Sequence, residues 1–288
     1  MKKLLLILCL LPLIGVAQEA ADSTKVWKSG GNISLNFSQV SLSNWVAGGK
    51  SSASGTFLVN LFGNYEKGKV SWENSLDLGY GLLKESDSKL VKSDDKIDFS
   101  SKYGYKASGH LYYSALFNFK SQFTDGYKYP DRDNPISRFL APAYLTLALG
   151  LDYKPDDHFS LFFSPLTGKL TVVADDSLST AGAFGVDPGS KTRWELGAYV
   201  KTAVKYEVWK NVTFESKFDI FSNYLDQPQN MDVNWDVTIN MKVNDYLSAN
   251  LITNLIYDND IKIEDSDGSM GPRVQFKELF GVGLNVKF

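Results

Sequence analysis

The chain has 288 residues, 43% hydrophobic, 22% charged and 14% aromatic, enough for one large domain and within reach of an all-β barrel built as a single unit. Thirty Lys and Arg against thirty-three Asp and Glu give a net charge of −3, and loss of Lys2 and Lys3 with an N-terminal signal takes it to −5. A mildly acidic chain without a basic run is a poor nucleic-acid binder, which sets that class aside.

The N-terminus reads as a secretory signal. Lys2 and Lys3 precede an apolar run from Leu4 to Val16, which ends in the small residues Gly15-Val16-Ala17. The run is too short for a membrane helix, which needs about 20 apolar residues, and suits a signal sequence cleaved after Ala17. The only cysteine, Cys9, lies inside it, so the mature chain is expected to have no disulfide, thiol chemistry or cysteine-bound zinc. Residues 18–30 are expected to form a short periplasmic lead.

From residue 31 to 288 the dominant pattern is alternation with period two. Over Asp232–Val243, the residues Val233, Trp235, Val237, Ile239, Met241 and Val243 share one face, while Asp232, Asn234, Asp236, Thr238, Asn240 and Lys242 share the other. Twelve such runs are legible, near 31–38, 51–65, 69–82, 96–106, 110–123, 142–153, 158–166, 192–207, 211–223, 231–243, 246–258 and 273–288. Most exceed the about 5–6 residues of a soluble-protein strand. They match the roughly 9–11 needed for a tilted strand to cross a bilayer.

Connection lengths alternate as well. Short turns at Tyr65–Lys69, Ala107–Gly109, Lys154–Asp157, Glu207–Asn211 and Val243–Asp245 are interleaved with longer loops near 39–50, 83–95, 124–141, 166–191, 224–230 and 259–272. Short turns on one rim and long loops on the other are the plan of an outer-membrane barrel, with the short turns periplasmic. The expected fold is therefore all-β, a transmembrane antiparallel up-and-down β-barrel of twelve strands, placed in the outer membrane of a Gram-negative bacterium. Charge on the lipid-facing register is nearly absent, as it must be when a midplane Lys or Arg costs about 2–4 kcal/mol. Glu278 is the exception. Ten residues from the C-terminus, at about 3.3 Å per residue and a tilt near 45°, it stands roughly 23 Å up, at the outer headgroup edge.

The opposite register carries Glu73, Asp77, Asp98, Lys102, Lys106, Lys120, Asp152, Glu195, Lys201, Lys205, Glu215, Lys217, Asp219, Asp232, Asp236 and Lys242. A selective ion pore would favour one sign at its constriction. Here the signs alternate along single strands: Asp98 with Lys102 and Lys106, Glu195 with Lys201 and Lys205, Glu215 with Lys217 and Asp219. Charges withdrawn from water need partners, so cross-strand pairing that narrows the lumen is expected. The chain ends in alternating Phe280, Val282, Leu284, Val286 and Phe288, which resembles the signal read by the outer-membrane barrel assembly machinery.

Other candidates carry less. A Ser–His dyad of an outer-membrane hydrolase belongs near the outer leaflet, but His110 and His158 flank short turns. The loops Asp265-Ser-Asp267-Gly268 and Asp131-Arg-Asp133-Asn134 lack the spacing and closing Glu of a calcium loop. No cofactor or metal is expected.

A final set of motifs carries a family resemblance. Ser38-Gln39, Asn44-Trp45-Val46-Ala47-Gly48-Gly49, Gly126-Tyr127, Ile136-Ser137-Arg138-Phe139-Leu140-Ala141-Pro142 and Ser164-Pro165-Leu166-Thr167-Gly168-Lys169 occur in order. Together they resemble the Bacteroidetes-type "domain of unknown function 3078" family of predicted outer-membrane proteins. That resemblance implies an outer-membrane barrel and brings no activity, substrate or catalytic residue. The functional expectation is a barrel without catalytic machinery, a narrow channel or small-solute transporter. The alternative is a closed barrel that binds another envelope component through its loops, and an outer-membrane hydrolase comes last. Its partners would be outer-membrane lipid and the assembly machinery.

Overall fold

In the computed structural model the described residues are 26–42, 50–86, 88–265 and 267–288. The expected signal segment and cleavage site, and the motif Asn44–Gly49, lie outside them. The chain order is β1 (Trp27–Val40), β2 (Ser52–Lys67), β3 (Val70–Glu85), β4 (Val91–Ser108), β5 (Leu111–Ser121), β6 (Gly126–Tyr127), β7 (Pro135–Ser137), β8 (Ala143–Asp156) and β9 (Phe159–Val172). It continues with α1 (Asp176–Thr180), β10 (Thr192–Trp209), β11 (Val212–Asn223), β12 (Met231–Lys242), β13 (Leu247–Tyr257), β14 (Lys262–Glu264), β15 (Met270–Pro272) and β16 (Gln275–Lys287).

Twelve of these strands close into an antiparallel barrel in the order β1-β16-β13-β12-β11-β10-β9-β8-β5-β4-β3-β2. Each of the twelve alternating runs became one barrel strand, and the strands are 11 to 18 residues long. The remaining four strands form two small hairpins, β6–β7 and β14–β15, inside the long loops.

Several boundaries differ from the sequence reading, three of them by four residues or more. The first strand begins at Trp27, so Trp27–Gly30 belong to the barrel and not to a lead. Its Trp27 ring packs 5.3 Å from Tyr65 and 5.8 Å from Trp72, an aromatic cluster beside the first short turn. Strand β4 starts at Val91 instead of 96, because Val91 and Lys92 pair with Leu83 and Leu82 across a bulge that breaks the alternation. Strand β9 runs to Val172 instead of ending near 166.

The cause of that third difference is a bulge at Ser164-Pro165-Leu166. Pairing with β8 jumps from Leu151↔Phe163 to Leu149↔Leu166, and pairing with β10 from Tyr199↔Ser164 to Gly197↔Thr167. The bulge shifts the parity of alternation, so the pattern stops at Pro165 and resumes one face over. Ser164 Oγ lies 2.8 Å from Leu149 O and 2.9 Å from Leu166 O, sharing its proton between carbonyls near the irregularity. It accepts from Thr167 Oγ1 at 2.8 Å. Across the bulge Gly150 has no room for a side chain, since a Cβ there would stand 2.0 Å from Phe163 O.

Large apolar side chains face outward around the wall, among them Phe57, Trp72, Leu147, Trp194 and Trp235. Among the described residues no helix is long and apolar enough to cross a membrane, so any crossing would be by strands. Phe280, Val282, Leu284, Val286 and Phe288 all lie exposed on the outer face. The terminal Phe288 exchanges backbone hydrogen bonds with Gly31 at 2.9 and 3.1 Å, which closes the barrel.

On the long-loop rim, residues 173–191 fold over 124–141. Asp175 caps α1 by accepting from Ser177 N and Leu178 N, and Arg138 Nη1 reaches Asp175 at 3.1 Å. Ala141, Val173, Leu178 and Val186 form a small apolar core beneath this cover.

Candidate functional site

The lumen is the one place where most of the sequence-flagged charges converge, and it is organised in three tiers. Nearest the short turns, Lys102 on β4 sits 2.8 Å from Asp152 on β8 and 3.2 Å from Glu73 on β3. Lys154 on β8 bonds Glu73 and lies 3.3 Å from Asp152, with its ammonium 5.0 Å from the Tyr112 ring centre. Asp152 is fully buried, so these two lysines supply the compensation a buried carboxylate requires. Glu215 is held between Lys205 at 3.1 Å and Lys217 at 3.3 Å.

The middle tier crosses the barrel. Lys217 on β11 reaches Asp77 on β3 at 3.1 Å, and Lys96 on β4 reaches Asp236 on β12 at 3.1 Å. In the closed order β3 and β11 stand six places apart among twelve strands, as do β4 and β12. Both bridges therefore join opposite walls. Lys120 on β5 adds a 4.0 Å contact to Asp219, while Lys96 lies 3.8 Å from Asp98. Amides hold the carboxylates in place: Asn60 donates to Asp77 at 2.8 Å, Asn118 to Asp98 at 2.7 Å and Asn254 to Asp236 at 2.7 Å.

In the upper tier Lys169 on β9 bonds Asp232 at 2.6 Å and lies 3.4 Å from Glu195. Arg193 lies 3.4 Å from Glu195 and 2.6 Å from Asp260. Asp232, Asp258 and Asp260 offer oxygens within 4.8 Å of one another, the spacing a metal ion would use. Lys169 and Arg193 enter the same cluster and supply positive charge there themselves.

Between the middle and upper tiers, one wall of the lumen is apolar. Leu116, Ala148, Phe162, Tyr199 and Phe221 come from the five adjacent strands β5, β8, β9, β10 and β11 and pack together out of solvent. Phe162 and Tyr199 meet edge to face at 6.4 Å, and the Lys169 ammonium lies 5.1 Å from the Phe221 ring centre.

Not every inward charge finds a partner across strands. Glu195 pairs with Lys169 across on β9 and with Arg193 on its own strand. Lys201 stands opposite Asp219 in register, but among the described residues it has no ion pair within 4.0 Å, Asp219 instead taking Lys120 and the Asn234 amide. Lys106 lies 6.0 Å from the Tyr112 ring, and Lys242 turns to Asp245 in the β12–β13 turn at 2.6 Å. The sequence reading missed Lys96, Lys154, Lys169, Arg193 and Lys277. Alternation alone places Lys96 and Lys277 on the inward register; Lys169 needed the bulge, and Lys154 lay just past an underestimated strand end.

His158 stacks on Tyr206 at 4.8 Å with Nδ1 2.9 Å from Lys205 O, and His110 meets Tyr153 edge-on at 6.5 Å. Both flank short turns. Asp131 accepts from Asn134 Nδ2 and from the backbone of Asp133 and Asn134. That turn, chiefly through the Asn134 amide, holds its carboxyl below the ordinary aspartate value.

Among solved structures the chain is similar to an outer membrane channel from Pseudomonas putida F1, at 12% identity over 94% of this chain and 100% of that one, with a TM-score of 0.43. It is similar to the translocator domain of the autotransporter NalP from Neisseria meningitidis, at 10% identity over 95% and 91% of the two chains, TM-score 0.38. A third, the toluene transporter TodX of P. putida, gives 11% identity over 91% and 89%, TM-score 0.31. No curated protein matches the chain. The motifs Ser38-Gln39, Asn44–Gly49 and Gly126-Tyr127 fall within the segment matched by a family model, whereas Ile136–Pro142 and Ser164–Lys169 lie beyond it. Over residues 37–127 this closed twelve-stranded barrel matches the family described as "Protein of unknown function (DUF3078)".

Proposed function

We propose that the protein is an outer-membrane barrel of a Gram-negative cell, without catalytic machinery, that forms a narrow small-solute path held shut at rest by its own ion pairs. The observation that carries this reading is the pair of bridges, Lys217–Asp77 and Lys96–Asp236, each joining opposite walls at 3.1 Å. A solute would have to part those bridges or pass beside them. The folded cover of residues 173–191 at the long-loop rim supports the same restriction.

A second reading, a permanently closed barrel that binds an envelope component, is favoured by the apolar packing of Phe162, Tyr199 and Phe221 inside the lumen. On either reading the outer face meets lipid, and the strand ending in Phe288 is the element presented to the assembly machinery.

Liposome swelling with small sugars and amino acids tests the proposal. Slow, size-limited uptake fits a narrow path, and none at all fits the permanently closed barrel. Rapid, unselective swelling would overturn both readings in favour of a general diffusion porin.

A further inference from the structure

Among the described residues, the seam that closes the barrel is short. β1 and β16 pair over six register positions, Asn32↔Lys287 to Phe37↔Val282, whereas every other barrel seam has ten or more. Beyond that point β16 continues as Gln275–Gly281, paired with β13 alone among the described residues. β1 continues as Ser38–Val40, paired with β2 alone. All three of those β1 residues are exposed, although alternation would put one register inside. The chain after β1 is drawn toward β2 and β3: Leu42 N donates to Ser51 Oγ at 2.9 Å, and Ser51 O accepts from Ser86 N at 2.9 Å.

Among the described residues, a seven-residue strand edge is thus open on the long-loop half of the wall. Such an edge presents a row of backbone donors and acceptors, a template for another strand. At its centre is Glu278, a charge on the outward-facing register, flanked by exposed Phe276 and Phe280. Two independent features, the short seam and the misplaced charge, coincide at one position.

We infer that the open edge of β16 is a docking site for an extended segment of another polypeptide, bound as an added strand, with alternating apolar residues and a Lys or Arg at its centre. Main-chain hydrogen bonds would supply affinity and the charge opposite Glu278 the register. A second copy of this chain fits poorly. Antiparallel self-pairing over the full edge sets Glu278 directly against its own copy, and like charges so placed are destabilising.

This inference rests on the outer-membrane reading, and its test separates the two. The mature protein in detergent micelles is titrated with the labelled peptide Val-Thr-Val-Lys-Val-Thr-Val and with its Glu-centred counterpart. Saturable binding is expected, about five-fold weaker for the Glu peptide, with the order reversed in Glu278→Lys. In a cysteine-free background, Leu35→Cys/Leu284→Cys should oxidise readily across the paired seam, while Gln39→Cys/Phe280→Cys should not. Equal binding of the two peptides, ready oxidation of the second cysteine pair, or dimer formation through Phe280→Cys alone would each overturn the inference. If these fail while the protein fractionates with the outer membrane and is heat-modifiable, only the docking site is lost. A protein soluble without detergent would remove the reading beneath it.

Discussion

The lumen is filled by two kinds of chemistry. Ion pairs span it: Glu73, Asp77, Lys96, Lys102 and Asp236, on β3, β4 and the facing strand β12, are each held by one. Along one wall, β5 and β8 to β11 present Leu116, Phe162, Tyr199 and Phe221 packed against one another. The comparison separates two ways of filling a barrel. Ion pairs can part and re-form with water between them, whereas a packed aromatic layer can be vacated only by moving side chains. A solute path would run through the ion pairs and not through the packed layer.

Three substitutions sharpen that contrast, in order of expected effect. Phe162 is almost completely buried, and Phe162→Ala should cost about 3–5 kcal/mol by opening a cavity. Lys169→Ala should cost a similar amount, about 3–5 kcal/mol, by leaving buried carboxylates short of a partner. Their signatures differ. Both should lower the temperature at which the folded band converts on gels, but only Lys169→Ala should recover when Asp232→Asn is added. Recovery of neither, or of both, would remove the distinction.

Ser164→Ala tests the bulge in β9, within the wall that carries the packed layer. Its hydroxyl is buried and serves two carbonyls and the Thr167 hydroxyl, so the change should cost about 1–3 kcal/mol. A melting temperature equal to that of the unsubstituted protein would mean that Pro165 alone fixes the bulge.

The smallest effect is expected at the cover. Asp175→Ala removes the α1 cap at a cost of about 1 kcal/mol, read as faster protease cleavage within residues 173–191 while the barrel stays intact. The Ser177 hydroxyl first, with the Leu178 amide and Arg138, holds the Asp175 carboxyl below its ordinary 3.8. A lowered value means the cap contributes fully above the unfolded value and is lost as pH falls through the folded one. Cleavage of the unsubstituted protein should therefore rise as pH drops through that range, while Asp175→Ala should show little change.

The contrast between ion pairs and packed layer also explains what could be read in the sequence. Period-two alternation and loop asymmetry gave twelve strands and the ionic register, because polar residues at alternate positions advertise an inward face. Phe162, Tyr199 and Phe221 sit on that same register, where an apolar residue breaks the pattern without saying why. Lys169 was hidden by Pro165, beyond which the parity shifts, and Lys154 by a strand that ran past the expected turn. The short β1–β16 seam depends on pairing between chain ends, which local pattern cannot report.

The central claim is that ion pairs between opposite walls restrict the lumen. Single-channel conductance in planar bilayers, comparing the natural chain with Lys96→Ala/Lys217→Ala, tests it most directly. A small or absent conductance that increases when both lysines are removed, with heat-modifiability retained, is the predicted result. A large, steady conductance in the natural chain, unchanged by the double substitution, would contradict it.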